Sequence, residues 1–207
     1  MSASVGARQT IFSGLDSPHG IFGDLAMLVF VIVQGLDGAL TYLGEIRRVE
    51  GDHAGALSLY EELVPLARDR GAASVALTLN NLAMIHAALG DAAAAVRAGA
   101  EAAENARQGR SKRARTSSVD VTAAVAGACG AWPECARLYG AVDAALERMG
   151  AQREPADAVV HEPMRRRAQE ALGAERFAER YRDGRALEVE AALDEALAWY
   201  RAAAPRD

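Results

Sequence analysis

Asp37, Glu45 and Asp120 are the carboxylates best placed for acid–base chemistry in this chain, because each has polar company at helical spacing. Asp37, Thr41, Glu45 and Arg48 fall on one face of a helix, spaced by three or four residues. Asn80, Met84 and Ala87 share a second such face, and Ser117, Asp120 and Ala124 a third. A positioned carboxylate can take or give a proton. Mixed faces of this kind also suit a peptide or a small polar molecule, and they equally suit water.

Other chemistries find less support. The four histidines, His19, His53, His86 and His161, are scattered without metal-ligand spacing, so no metal and no cofactor is expected. His161-Glu162 opens like a zinc-protease helix, but Arg165 stands where the second histidine would be and Pro163 breaks the helix. No Ser or Cys lies in the strand–turn–helix context of a nucleophile, and no catalytic residue is assigned. Cys129 and Cys135 read as two small buried residues rather than a disulfide. Arg107, Arg110, Lys112, Arg113 and Arg115 cluster around a turn. They suit phosphate or an acidic partner, or simply the negative end of a helix. No aromatics are interleaved to stack bases. Arg165, Arg166 and Arg167 read the same way.

The elements that must position these groups are helices. Of 207 residues 51% are apolar, but only 5% are aromatic, so the core must be built from Ala, Leu and Val. Ala, Leu, Glu and Arg, which dominate the chain, have the highest helix propensities. Lys112 is the only lysine, a mark of base-composition bias. The formal net charge of -5 argues against direct nucleic-acid binding. The most apolar stretch, 25–33, falls far short of the roughly 20 residues that span a bilayer. No basic leader or small-residue cleavage site opens the chain. The expectation is a cytoplasmic protein with no membrane contact.

Internal similarity organises the helices. Tyr42-Leu43-Gly44-Glu45-Ile46 leads to Gly51-Asp52, and Asn81-Leu82-Ala83-Met84-Ile85 leads to Gly90-Asp91. Ala56 and Ala95 follow each glycine at the same distance. The offset from Gly51 to Gly90 is 39 residues, and a weaker third copy at Gly130-Ala131, Cys135 and Tyr139 is offset by 40 more. Each unit reads as two amphipathic helices around a tight turn. Glycine accepts the positive φ that ends the first helix, and Asp caps the second. Small residues at Gly44, Ala83, Ala56 and Ala95 allow close approach, while Tyr60 and Tyr139 fill the space between hairpins. Helices are predicted over 20–34, 37–49, 53–70, 73–89, 92–108, 114–129, 132–149, 157–172, 174–182 and 188–203, with a kink at Pro65 and no sheet.

These hairpins resemble tetratricopeptide repeats. Gly44 and Ala83 match the small position of the first helix, Gly51-Asp52 and Gly90-Asp91 the turn, and Ala56 and Ala95 the small position of the second helix. Tyr60 matches the aromatic position; Gly99 does not, the closing proline is missing, and the period exceeds the usual 34. From about residue 40 onward the chain also resembles the C-terminal helical regions of bacterial LuxR- and SARP-type ATPase regulators and their adenylate-cyclase-linked relatives. The segments carrying this are Ala136-Arg137-Leu138-Tyr139-Gly140-Ala141 ending near Met149-Gly150, the linker Arg153-Glu154-Pro155-Ala156-Asp157, and Ala171-Leu172-Gly173-Ala174-Glu175-Arg176-Phe177 running to Asp183-Gly184-Arg185-Ala186-Leu187 and the helix 189–198. The chain carries no Gly-rich Lys-Ser/Thr phosphate loop, so the resemblance implies only the sensor or scaffold portion.

The expected architecture is all-α: tetratricopeptide-like hairpins in a right-handed superhelix over 20–150, an irregular segment 1–19, and a helical extension 151–207 packed on the array. First helices would line the concave face, placing Asp37, Thr41, Glu45, Arg48, Asn80, Met84, Ser117 and Asp120 there. The expected function is non-enzymatic recognition of a protein, a peptide or a small effector. The alternative is an enzyme or biosynthetic accessory with a closed small-molecule pocket, and a third reading is an oligomerising structural domain. Helix 20–34 would either face a second copy in a homodimer or be covered by residues 1–19.

Overall fold

Each expected turn glycine ends a helix. The computed structural model describes residues 35–153 and 155–204, with the side chains of residues 36, 37 and 155–159 outside that description. Helix 20–34 and the segment before it, and with them the homodimer expectation, lie outside the described residues. Among the described residues there are nine helices and no strand. We number them α1 (Leu36–Glu50), α2 (His53–Arg70), α3 (Ala72–Ala88), α4 (Ala92–Gln108), α5 (Lys112–Ala128), α6 (Trp132–Met149), α7 (Pro155–Leu172), α8 (Ala174–Arg185) and α9 (Val189–Ala203). None is long and apolar enough to cross a membrane.

The α1–α2, α3–α4 and α5–α6 turns share one hydrogen-bond pattern. Asp52 N–H reaches Arg47 O at 2.8 Å, Asp91 N–H reaches His86 O at 2.9 Å, and Ala131 N–H reaches Ala126 O at 2.8 Å. In each, the preceding glycine bonds three residues back, which is the Schellman arrangement. It requires a positive φ, +83° at Gly51 and +80° at Gly90, which glycine adopts without strain. Asp52 and Asp91 then cap the following helices, accepting from Gly55 N–H and Ala94 N–H at 2.9 Å. Ala131 has no side chain to do this, and Pro133 in the first turn of α6 leaves one fewer free donor.

The core follows from composition. Ala76, Ala83, Ala102, Ala103, Ala106, Ala114, Ala123, Ala126 and Ala136 are all fully buried, so helices approach closely. Around α2 and α3 the filling is larger, with Tyr60, Leu63, Leu79, Leu82 and Ile85. Tyr60 lies against Gly44, where a Cβ would stand 2.6 Å from the ring. The second hairpin has glycine at the matching position, and the missing ring is supplied from elsewhere. Tyr200 of α9 inserts its ring against Gly99 and is buried. The C-terminal helix thus fills the second hairpin, a role the local sequence does not reveal.

α9 packs on α4, α5 and α6, α8 packs on α6, and α7 packs on α5, α6 and α8. The α6–α8 crossing is backbone on backbone: a Cβ on Gly140 would strike the Tyr181 carbonyl, and one on Gly184 the Arg137 carbonyl. α2 runs through Pro65 without interruption. α7 likewise continues through Pro163, contrary to the expected break. Proline removes one helical N–H and crowds a carbonyl, yet the helix stays continuous where it packs on α5, α6 and α8. α8 extends three residues beyond its predicted end.

Candidate functional site

Among the expected groove carboxylates, Asp120 of α5 is gripped by a residue 33 positions further along the chain. Arg153, in the link between α6 and α7, donates Nε and Nη2 to the two Asp120 oxygens, each at 3.0 Å. Its Nη1 donates to Asp143 Oδ1 of α6, also at 3.0 Å. Tyr181 of α8 donates its hydroxyl to the other Asp143 oxygen at 2.6 Å. All three charged side chains are largely withdrawn from water, with 13% exposure for Arg153 and 16% and 17% for the two aspartates. One guanidinium therefore joins α5, α6 and the chain entering α7.

Burial by itself would pull the Arg153 pKa down, but its bonds to Asp120 and Asp143 outweigh that and hold it above the ordinary value. A two-point guanidinium–carboxylate bond in a dry setting has strict geometry. Removing one partner of such a cluster leaves a charge buried alone, which usually costs about 3–5 kcal/mol.

His161 of α7 stands beside this cluster, 4% exposed. Its ring meets that of Tyr139 edge-on, centroids 4.2 Å apart. Nε2 is 4.0 Å from Asp143 Oδ1 and Nδ1 is 3.5 Å from Glu162 Oε1, both beyond a good hydrogen bond. Burial, and then the neighbouring Arg153 charge, lower the His161 pKa against the opposing pull of Asp120, Asp143 and Glu162. The imidazole is neutral at pH 7. Burial and the Asp120 charge push the Tyr139 phenol well above its usual value, so it too stays neutral.

Met84, Asp120, Val121, Ala124, Tyr139, Val160 and His161 line a small cavity of about 10 Å³. That volume admits one water-sized group. Among the described residues no group of three or more His, Cys, Asp or Glu side chains is arranged to hold a metal ion. Cys129 and Cys135 are free thiols.

The remaining expected groove residues divide between two situations. Asn80 is buried and ties α3 to α5, its amide donating to Ser117 Oγ at 3.1 Å and accepting from Ser118 Oγ at 3.2 Å. Met84 is buried beside the cavity. On α1, Thr41 and Glu45 are half-buried and Arg48 is 9% exposed. Asp37 lies in the first turn of α1, its side chain outside the described residues. The structure therefore brings Asn80 to Ser117, and Met84 to Asp120.

Arg153, Asp143 and His161 were not among the expected site residues. Asp143 carried a readable signal, since it stands between Val142 and Ala144 in the most apolar part of α6, where a carboxylate requires a partner. Arg153 carried none, because a linker arginine is ordinarily solvated. Comparison with protein-family models, with curated proteins and with solved structures finds no match for the chain.

Proposed function

We propose that this chain is a non-enzymatic binding module. In this reading it is the sensor portion of a regulator-like protein, a tetratricopeptide-like array in a right-handed superhelix that recognises a protein or a small effector across the face of its first helices. The observation that carries the reading is a disparity of scale at the titratable groups. Enclosed substrate sites occupy several hundred Å³, whereas the cavity beside Asp120, Tyr139 and His161 holds about 10 Å³. The buried carboxylates are committed to Arg153, an arrangement that holds helices together and leaves no room for a reacting molecule. In this reading recognition takes place away from this junction, on open surface. Thr41 and Glu45 on the first of these helices, α1, and Ser117 on α5 supply polar groups of the kind that fix a ligand's position.

The test is photo-crosslinking. Benzoylphenylalanine is placed at Thr41, on the first-helix face, and separately at Glu62, an exposed residue of the second helix α2. Capture of a specific partner from position 41, reduced at least about tenfold by Glu45→Arg, is the expected result. Capture from position 62 alone, or turnover of a small molecule that Glu45→Arg leaves intact, would replace the reading with a different surface or with the enzymatic alternative.

A further inference from the structure

α7 lies where a ligand of the first-helix face would lie. Val160 and His161 close over Met84 of α3 and over Asp120, Val121 and Ala124 of α5. One turn further, Met164 rests on Gly127, its sulfur 2.6 Å from where a Cβ would stand. Ala168 continues the stripe and is buried. Val160, Met164 and Ala168 are spaced i, i+4 and i+8, the pattern of a helix laid in a groove.

The hold on this helix is thin. Among its described side chains only His161 and Ala168 are buried, against eleven buried residues in α5. Pro163 further removes one internal hydrogen bond. Charge adds to the half-buried contacts of Val160, Met164 and Leu172: Arg153, just before α7, spans Asp120 and Asp143. An element with few buried apolar contacts opens locally well before the molecule unfolds.

We propose that α7 with Arg153 is an intramolecular occupant of the binding face, displaced by a partner that is itself an amphipathic helix. The partner carries apolar residues at i and i+4 and a basic residue directed to Asp120 and Asp143. This rests on the binding reading above and narrows it from an unspecified effector to a basic helix. Once α7 leaves, the face presents two carboxylates without their arginine, which attracts a basic segment and repels an acidic one. A helix at that position regains both the apolar seat and the ion pairs.

The test uses the full chain, hydrogen exchange, and a labelled synthetic peptide of residues 151–172 as the probe. In the wild type, α7 amides exchange at least about tenfold faster than those of α5. Arg153→Ala raises α7 exchange by about 100-fold while α3–α6 keep their protection. The peptide, which brings its own arginine, binds Arg153→Ala at least about tenfold more tightly than the wild type, because its competitor is weakened. Met164→Ala leaves every charge paired and gives the same pattern at about tenfold in exchange, so the result does not hang on one variant's folding. α7 exchanging in step with α5 in all three proteins makes it a permanent core element and overturns the proposal. So does a peptide that binds wild type and variants equally, or none of them. Crosslinking from Thr41 reads the broader function separately: a partner captured there without peptide binding here would remove only the displacement.

Discussion

The first and third hairpins have the same register and turn glycines, yet their first helices end in different company. On α1, Thr41 and Glu45 are half-buried, and the Tyr60 ring sits against Gly44 from within the same hairpin. On α5, the corresponding stretch meets a second layer: Asp120 is gripped by Arg153, Val121 and Ala124 lie under α7, and Gly127 carries Met164. Two carboxylates on equivalent helices, Glu45 and Asp120, therefore differ in kind. One is half-buried on α1; the other belongs to a dry ionic junction between α5, α6 and the approach to α7. The difference teaches that register places a side chain on a face, while what covers the face decides whether it recognises or holds.

Charge removal at the two ends should separate them most. Arg153→Ala strips the guanidinium from Asp120 and Asp143 and should cost about 3 kcal/mol of the free energy holding α7 down, measured by hydrogen exchange. Glu45→Ala removes a half-buried carboxylate outside that junction and should change the urea-unfolding free energy by about 1 kcal/mol or less. Equal losses would erase the contrast. Glycine crossings give the next test. Gly184→Ala sets a methyl against the Arg137 backbone, which cannot swing away, and should cost about 2 kcal/mol or more. Gly44→Ala meets first the Tyr60 ring, a side chain rather than a backbone, and should cost less, about 1 kcal/mol. The reverse order would mean that α8 can slide along α6.

The smallest effect is pH dependence at the third hairpin. His161 has its folded pKa below the unfolded value of about 6.5. As pH falls below that value the unfolded chain takes up the proton first, so stability is full above it and declines on acidification toward the folded pKa. One group limits the slope to about 1.4 kcal/mol per pH unit. Asp52 and Glu147, held below their usual pKa by the Gly55 N–H and by Arg185 respectively, stay ionised in the folded chain from pH 7 to 5 and add little there. His161→Gln should flatten the decline in thermal unfolding between pH 7 and 5, and an unchanged slope would assign it to other groups.

The hairpins were legible because their signals are local. Gly51-Asp52 and Gly90-Asp91 contain within two residues both the left-handed stop of one helix and the cap of the next, and both turns form as read. Helix boundaries over α2, α4 and α6 fall where they were predicted for the same reason. The site was only partly legible. Asp120, Asn80 and Met84 stood out by helical spacing, but nothing near them in sequence says that they are covered.

What the chain itself determined is therefore the inventory: all-α structure, most helix boundaries, turn glycines spaced by 39 and 40 residues, and which side chains share a face. Backbone propensity, capping and 3.6-residue periodicity act over a few residues, and their outcome can be read one segment at a time. Only the tertiary structure decided that Tyr200 would fill the gap at Gly99, a hundred residues earlier, and that Arg153 would close on Asp120 and Asp143. Those contacts depend on how the extension folds back across the array. Burial there turns a solvated arginine and two ordinary aspartates into a single joined group, because charges removed from water must find each other.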